Sequence, residues 1–183
     1  MKVFCIAAGL AVAMTPLAAN ASRLTYDKPR MNACHEAAQM GRIDSFAIMG
    51  CDLALNYEML TMEERSATLV NRGILRILAG DIGRARQDFD AALIVNPAQA
   101  EAWLGRGIVE WRAGNSGAVI EPIGRALKLQ PSRPALAYYV RGLANEAQGD
   151  LKAAYADLMM ARQLDPKWRE PAMQLERYRV VRR

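Results

Sequence analysis

Few side chains in this sequence are of a type that does chemistry, and their spacing decides what they can do. His35 is the single histidine. It has no second histidine with which to share a zinc ion and no CxxCH setting for a haem. Beside Cys34 it reads as an exposed helix residue. The chain holds no GxxxxGK[ST] phosphate loop, no GxSxG nucleophile elbow and no HExxH pair. Its carboxylates are scattered at capping and surface positions, so none pair for general acid–base work. Arg72-Gly73, Arg106-Gly107 and Arg141-Gly142 are the remaining candidates, since glycine beside arginine can open a phosphate-cradling turn. Each pair lies in a helical pattern with no strand before it, and such a cradle needs the turn between loop and helix start. No catalytic residue, cofactor or metal is therefore expected.

The cysteines turn on compartment. Residues 1–21, MKVFCIAAGLAVAMTPLAANA, join Lys2 to an apolar run from Val3 to Met14 and to Ala19-Asn20-Ala21. That is the pattern of a secretory leader cut after Ala21. The run falls short of the roughly 20 apolar residues that span a bilayer. No later stretch is apolar enough to cross one, so the mature chain is expected to lack an integral membrane segment and to be exported, to the periplasm or beyond. Cys5 would leave with the leader, and Cys34 and Cys51 would stay in an oxidising compartment. A hairpin of two helices brings residues seventeen apart into reach. A bridge closing a loop of that size would stabilise by roughly 3 kcal/mol. Two unrelated buried thiols are the competing reading.

Charge narrows the partners. The chain has 24 Lys and Arg against 19 Asp and Glu. Residues 167–183 hold Lys167, Arg169, Arg177, Arg179, Arg182 and Arg183 against Glu170 and Glu176, a net of +4. Without that tail and Lys2 the body is neutral. A nucleic-acid binder carries a basic stripe over its folded body, so no nucleic-acid partner is expected.

A repeat organises the elements. Gly73, Gly107 and Gly142 recur at spacings of 34 and 35, and Gly80, Gly114 and Gly149 follow each by seven. Pro97, Pro131 and Pro166 follow by twenty-four, with Ala92, Ala126 and Ala161 five residues before them. Apolar residues at three and four spacing, as in Leu69, Ile74, Leu75 and Leu78, make each unit two helices. Gly80, Gly114 and Gly149 can end the first helix in a left-handed conformation. Asp81, Asn115 and Asp150 are good N-caps for the second. Gly73, Gly107 and Gly142 fall inside the first helix, at about 1 kcal/mol each relative to alanine. Their recurrence points to a close packing need.

This pattern resembles the tetratricopeptide repeat. The large early position appears as Leu69, Trp103 and Tyr138, and the mid-helix position as Phe89, Ile123 and Leu158. The usual leucine before the first glycine is arginine in all three units, and Val119 replaces the small residue seen as Ala85 and Ala154. The resemblance implies an all-α, right-handed superhelical solenoid. Residues 22–31 would form an arm, 32–62 a divergent hairpin, 63–166 three repeat units, and 167–183 a capping helix with a basic tail. Trp168, Ala172, Leu175 and Tyr178 would line that cap's apolar face.

Asp88 stands sixteen residues after Arg72, and Asp157 sixteen after Arg141. That spacing sets each pair across a helical hairpin, so salt bridges are expected. In the middle unit the matching residue is Pro122, which is expected to kink the second helix at roughly 3 kcal/mol or more. Arg106 would then turn to Glu110 or Glu121, or be left for a ligand.

The resemblance also implies a concave groove built from the first helices. Carried over position by position, it comprises Val70, Asn71, Ile74, Ile77, Leu104, Ile108, Trp111, Tyr139, Leu143 and Glu146, with Arg106 beside it. Val70 and Ile74 stand where chaperone-binding relatives carry a Lys and an Asn that clamp a carboxylate. An apolar groove with aromatics favours an amphipathic or apolar segment. The sequence thus reads as a non-catalytic interaction scaffold of the bacterial cell envelope with a protein or peptide partner. A self-associating module, its groove filled by another copy in a homo-oligomer, is the alternative.

Overall fold

The computed structural model of the chain describes residues 28–178. The expected leader and most of the expected arm lie outside them, as do residues 179–183 of the basic tail. Among the described residues the order is α1 (Pro29–Met40), α2 (Ser45–Tyr57), α3 (Met62–Leu78), α4 (Ile82–Val95), α5 (Ala100–Arg112), α6 (Ile120–Lys128), α7 (Pro134–Ala147), α8 (Leu151–Leu164) and α9 (Arg169–Leu175). Successive helices pair as antiparallel hairpins, each packed on the next, with α9 laid against α8. Helix α1 begins at Pro29, inside the segment expected as an arm. Its first free amides, those of Arg30 and Met31, donate to the Glu58 carboxylate at 2.9 and 3.0 Å.

Local signals set the helix ends. Thr61 and Glu64 form a reciprocal capping box at the start of α3. Asp44, Asp81 and Asp150 each accept an amide of the following first turn. Gly80, Gly114 and Gly149 sit at φ of 80, 79 and 82°, which reverses the chain between the helices of each unit. Asn115 is the exception among the expected caps: its side chain makes no cap bond, and its amide nitrogen donates to Glu110 Oε2 at 2.9 Å.

The core explains the recurring glycines. A Cβ on Gly73 would lie 2.8 Å from the Phe89 ring, one on Gly107 would lie 2.4 Å from the Ile123 side chain, and one on Gly142 would lie 3.1 Å from Leu158. Each glycine is the seat for the large residue sixteen positions on. Phe89, Ile123 and Leu158 are fully buried there. The Phe89 ring is also met by the next unit, where a Cβ on Gly105 would come within 2.3 Å.

Two expectations need correction. Pro122 does not kink a long second helix. The middle unit opens instead with a 3₁₀ turn, Ser116–Ala118, and α6 starts only at Ile120. Pro122 thus falls in the first turn, where amides have no partner within the helix and a missing N–H costs little. Nor does the capping helix itself carry all four of its expected apolar residues. Helix α9 covers seven residues, Trp168 is its N-cap, and Tyr178 lies beyond it. Leu175 and Pro171 are its buried residues, while Tyr178 packs on Tyr155 with ring centroids 5.8 Å apart.

Candidate partner-binding groove

Helices α1, α3, α5 and α7 each open a hairpin and together line one side of the array. Two adjoining concavities run along them, of about 610 and 550 Å³. Ala38, Gln39, Ile74 and Arg133 line both, so the two make one continuous groove. Its polar end carries Val70, Asn71, Gln99 and Glu101, with His35 at the rim. The Nδ1 of His35 lies 3.4 Å from the Asn71 amide nitrogen, and its Nε2 lies 2.9 Å from Gln39. The apolar end carries Ile74, Ile77, Ile108, Trp111, Leu136, Tyr139, Val140 and Leu143.

Of the residues expected there from the sequence, the groove gathers Val70, Asn71, Ile74, Ile77, Ile108, Trp111, Tyr139 and Leu143. Val70 and Ile77 are nearly covered, at 3 and 8% exposed, so they form floor more than contact surface. Tyr139 is divided between two tasks, because its ring packs on Trp168 at a centroid distance of 4.7 Å. Leu104, Arg106 and Glu146 are not among the lining residues. Leu104 is 3% exposed within the core that joins α5, α6 and α7. Glu146 binds Arg177 at 2.9 Å and ties the cap to α7.

Arg106 is displaced by a charge ladder inside the hairpins. Its Nε meets Asp90 of α4 at 2.6 Å and its Nη1 meets Glu110 at 2.6 Å. Glu110 is buried and also takes bonds from Arg86 and Asn115, at 3.0 and 2.9 Å. Burial alone would raise its pKa, but the Asn115 and Arg106 hydrogen bonds and the Arg86 charge hold it below the ordinary value. With Pro122 in place of a carboxylate, Arg106 takes Asp90 of the preceding unit. In the first unit Arg72 donates to Asp88 at 2.6 Å and also reaches Asp52 of α2 at 2.6 Å. Burial opposes the charge on Arg72, yet Asp88 and then Asp52 raise its pKa. Asp88 is shared with Arg76 at 2.8 Å. In the third unit Arg141 donates twice to Asp157, at 2.7 and 2.8 Å, and Asn145 adds a bond at 3.0 Å.

Cys34 of α1 and Cys51 of α2 are joined as a disulfide within a small buried core. Among the described residues no group of three or more His, Cys, Asp or Glu is placed to hold a metal ion, and no helix is long and apolar enough to cross a membrane.

Ala38, Gln39, Leu136, Val140, Arg112 and Arg133 line the groove without having been expected there. The signal for the first two lay in reading α1 as the opening helix of a further unit, which places it on the concave side. For Arg133 it lay in the repeat length. Pro97 precedes Gly107 by ten residues, whereas Pro131 precedes Gly142 by eleven. The added residue falls in the 131–134 connection, which borders the groove.

Comparison with known proteins agrees with this architecture. Residues 71–118 match a family model described as Tetratricopeptide repeat. Among solved structures, a double mutant of MamA from RS-1 has a TM-score of 0.65 at 22% identity, over 80% of this chain and 79% of that one. MamA residues 41 to the end from Desulfovibrio magneticus RS-1 give 0.58 at 21% identity, over 80 and 82%. The first such domain of human RPAP3 gives 0.56 at 21%, over 61 and 87%. At these identities the likeness is one of fold.

Proposed function

We propose that this chain, which has the tetratricopeptide repeat fold and matches that family's model over residues 71–118, is a non-catalytic scaffold of the bacterial cell envelope that holds a partner segment in its concave groove. One observation carries the reading. Ile74, Ile108, Trp111 and Leu143 come from three helices, are only partly covered, and share one concavity of about 550 Å³. Apolar side chains left convergent in a cleft are what a partner's apolar face would bury, at roughly 25 cal/mol per Å². Tetratricopeptide arrays typically serve protein–protein interaction, which agrees with it.

The test is site-specific photo-crosslinking in cells. A crosslinker at position 108 should give a discrete adduct, and one at Arg84, on the exposed surface of α4, should give none. Equal adducts from both positions would remove the groove assignment. Fractionation tests the location: the protein should appear in the periplasmic fraction with Cys34 and Cys51 oxidised. Cytoplasmic protein with two free thiols would overturn that part alone.

The second reading, a self-associating module whose groove is filled by another copy, is favoured by the apolar side chains that α2 leaves exposed. Phe46 and Tyr57 of α2 are each 72% exposed, with Met49 beside them. Light scattering across a concentration series separates the readings, since a monomer at every concentration removes this one.

A further inference from the structure

Resting on the groove reading, we propose that the segment held there is apolar with carboxylates, and that Arg112 and Arg133 receive those carboxylates. Along the apolar end of the groove these arginines are the charged lining residues, so that end is positive with no counter-charge of its own. Among the described residues neither has a carboxylate within salt-bridge distance. Arg72, Arg76, Arg84, Arg86, Arg106, Arg125 and Arg141 all have one. Arg30, Arg42, Arg65, Arg162 and Arg169 also lack one there, so what sets Arg112 and Arg133 apart is that they line the cleft.

Both also depart from the repeat. Arg112 occupies the position held by Leu78 in the first unit and Ala147 in the third. Arg133 arrives with the added residue after Pro131, in a connection where Gln130 takes a φ of 57° against the usual preference of a side-chain-bearing residue. The neighbouring carboxylate, Glu101, accepts the Ser132 amide at 2.9 Å and lines the polar end of the groove, outside the apolar end. Guanidinium groups over an apolar floor suit an amphipathic segment, since their stems cover hydrocarbon while their forks bind oxygen bidentately. The tail of a second copy is a poor occupant, because residues 167–183 carry net positive charge. A phosphate-rich ligand would gain nothing from Ile74, Ile108 and Leu143.

Arg112 lies in the last turn of α5, where a cation also offsets the helix dipole. The test must separate this from ligand binding. A random peptide library displayed on phage is selected on the oxidised protein, on the Arg112→Glu/Arg133→Glu double variant and on Trp111→Ala, each checked for native helicity. On the wild type the selected sequences should combine apolar residues with Asp or Glu. On the double variant the acidic preference should vanish or turn to Lys and Arg. A synthetic copy of a selected peptide should weaken by about three- to tenfold when its acidic residues become Asn and Gln, with the loss shrinking in high salt. An amidated copy distinguishes side-chain carboxylates from a terminal one. Selected sequences without acidic residues, or the same sequences from the double variant, would overturn the proposal and leave the groove standing. Failure to select any peptide, or selection unchanged on Trp111→Ala, would overturn the groove reading as well.

Discussion

At the scale of single residues, charge and packing are set in register. Arg72 pairs with Asp88 while the adjacent Gly73 seats Phe89, and Arg141 pairs with Asp157 while Gly142 faces Leu158. A shift of one residue between the helices would break both contacts at once, so each hairpin has a single alignment that satisfies them. The glycines were legible in the sequence as packing positions because they recur. Their partner was not, because a missing side chain names no neighbour. Gly105 was invisible for the same reason, since it occurs in one unit only. Two substitutions test this account. Gly105→Ala places a methyl 2.3 Å from the buried Phe89 ring and should destabilise by about 1–3 kcal/mol despite the gain in helix propensity. Gly124→Ala, in α6 with nothing within 4 Å of its would-be Cβ, should stabilise by about 0.5–1 kcal/mol. Urea denaturation of the two variants checks both, and equal effects would reject the seat.

At the scale of elements, the middle unit is where the repeat and the structure part. The sequence allowed Pro122 to be seen but not how the chain accommodates it, because a proline's cost depends on which turn it falls in. By opening with a 3₁₀ turn the chain moves Pro122 into the first turn of α6, where its φ suits the helix and no bond is lost. Pro122→Ala should therefore not yield the roughly 3 kcal/mol that removal of an interior helix proline would give. It should be neutral or destabilising by about 1 kcal/mol, because the ring is buried. A gain of 2 kcal/mol or more in chemical denaturation would restore the kinked-helix view. The same unit supplies a pH dependence. Glu110 has a folded pKa below its ordinary value, so its stabilisation is complete above the unfolded pKa of about 4.3 and is lost as pH falls through the folded one. Glu110→Gln should be less stable than wild type by about 1–2 kcal/mol at pH 7. The two proteins should converge once pH has fallen through the lowered folded pKa of Glu110, because the wild-type carboxylate is then protonated too. A difference that stays constant from pH 7 to pH 3 would show that Glu110 contributes through shape alone.

At the scale of the whole molecule, the array is a one-dimensional stack in which each hairpin adds its own packing to that of its interfaces with adjacent hairpins. The repeat and its period gave the hairpins and the side that faces the groove, but both ends had to be found in the structure. The cap proved shorter than its apolar residues implied, and α1 proved to be a wall of the groove. An end unit has one neighbour instead of two, and α1 and α2 leave Met40, Phe46, Met49 and Tyr57 exposed. The disulfide joins these two helices, where the stack has least support. Reducing it should cost about 2–4 kcal/mol. In a stack the cost should stay local. Hydrogen exchange should quicken in α1 and α2 on reduction and remain unchanged in α7 and α8. Because Ala38 and Gln39 of α1 line the groove, the same treatment should weaken any peptide bound there, although the apolar contacts of Ile108, Trp111 and Leu143 lie on other helices. Uniform acceleration of exchange along the whole chain would mean that the array unfolds as one unit, and that the bridge supports the entire solenoid instead of one wall of its groove.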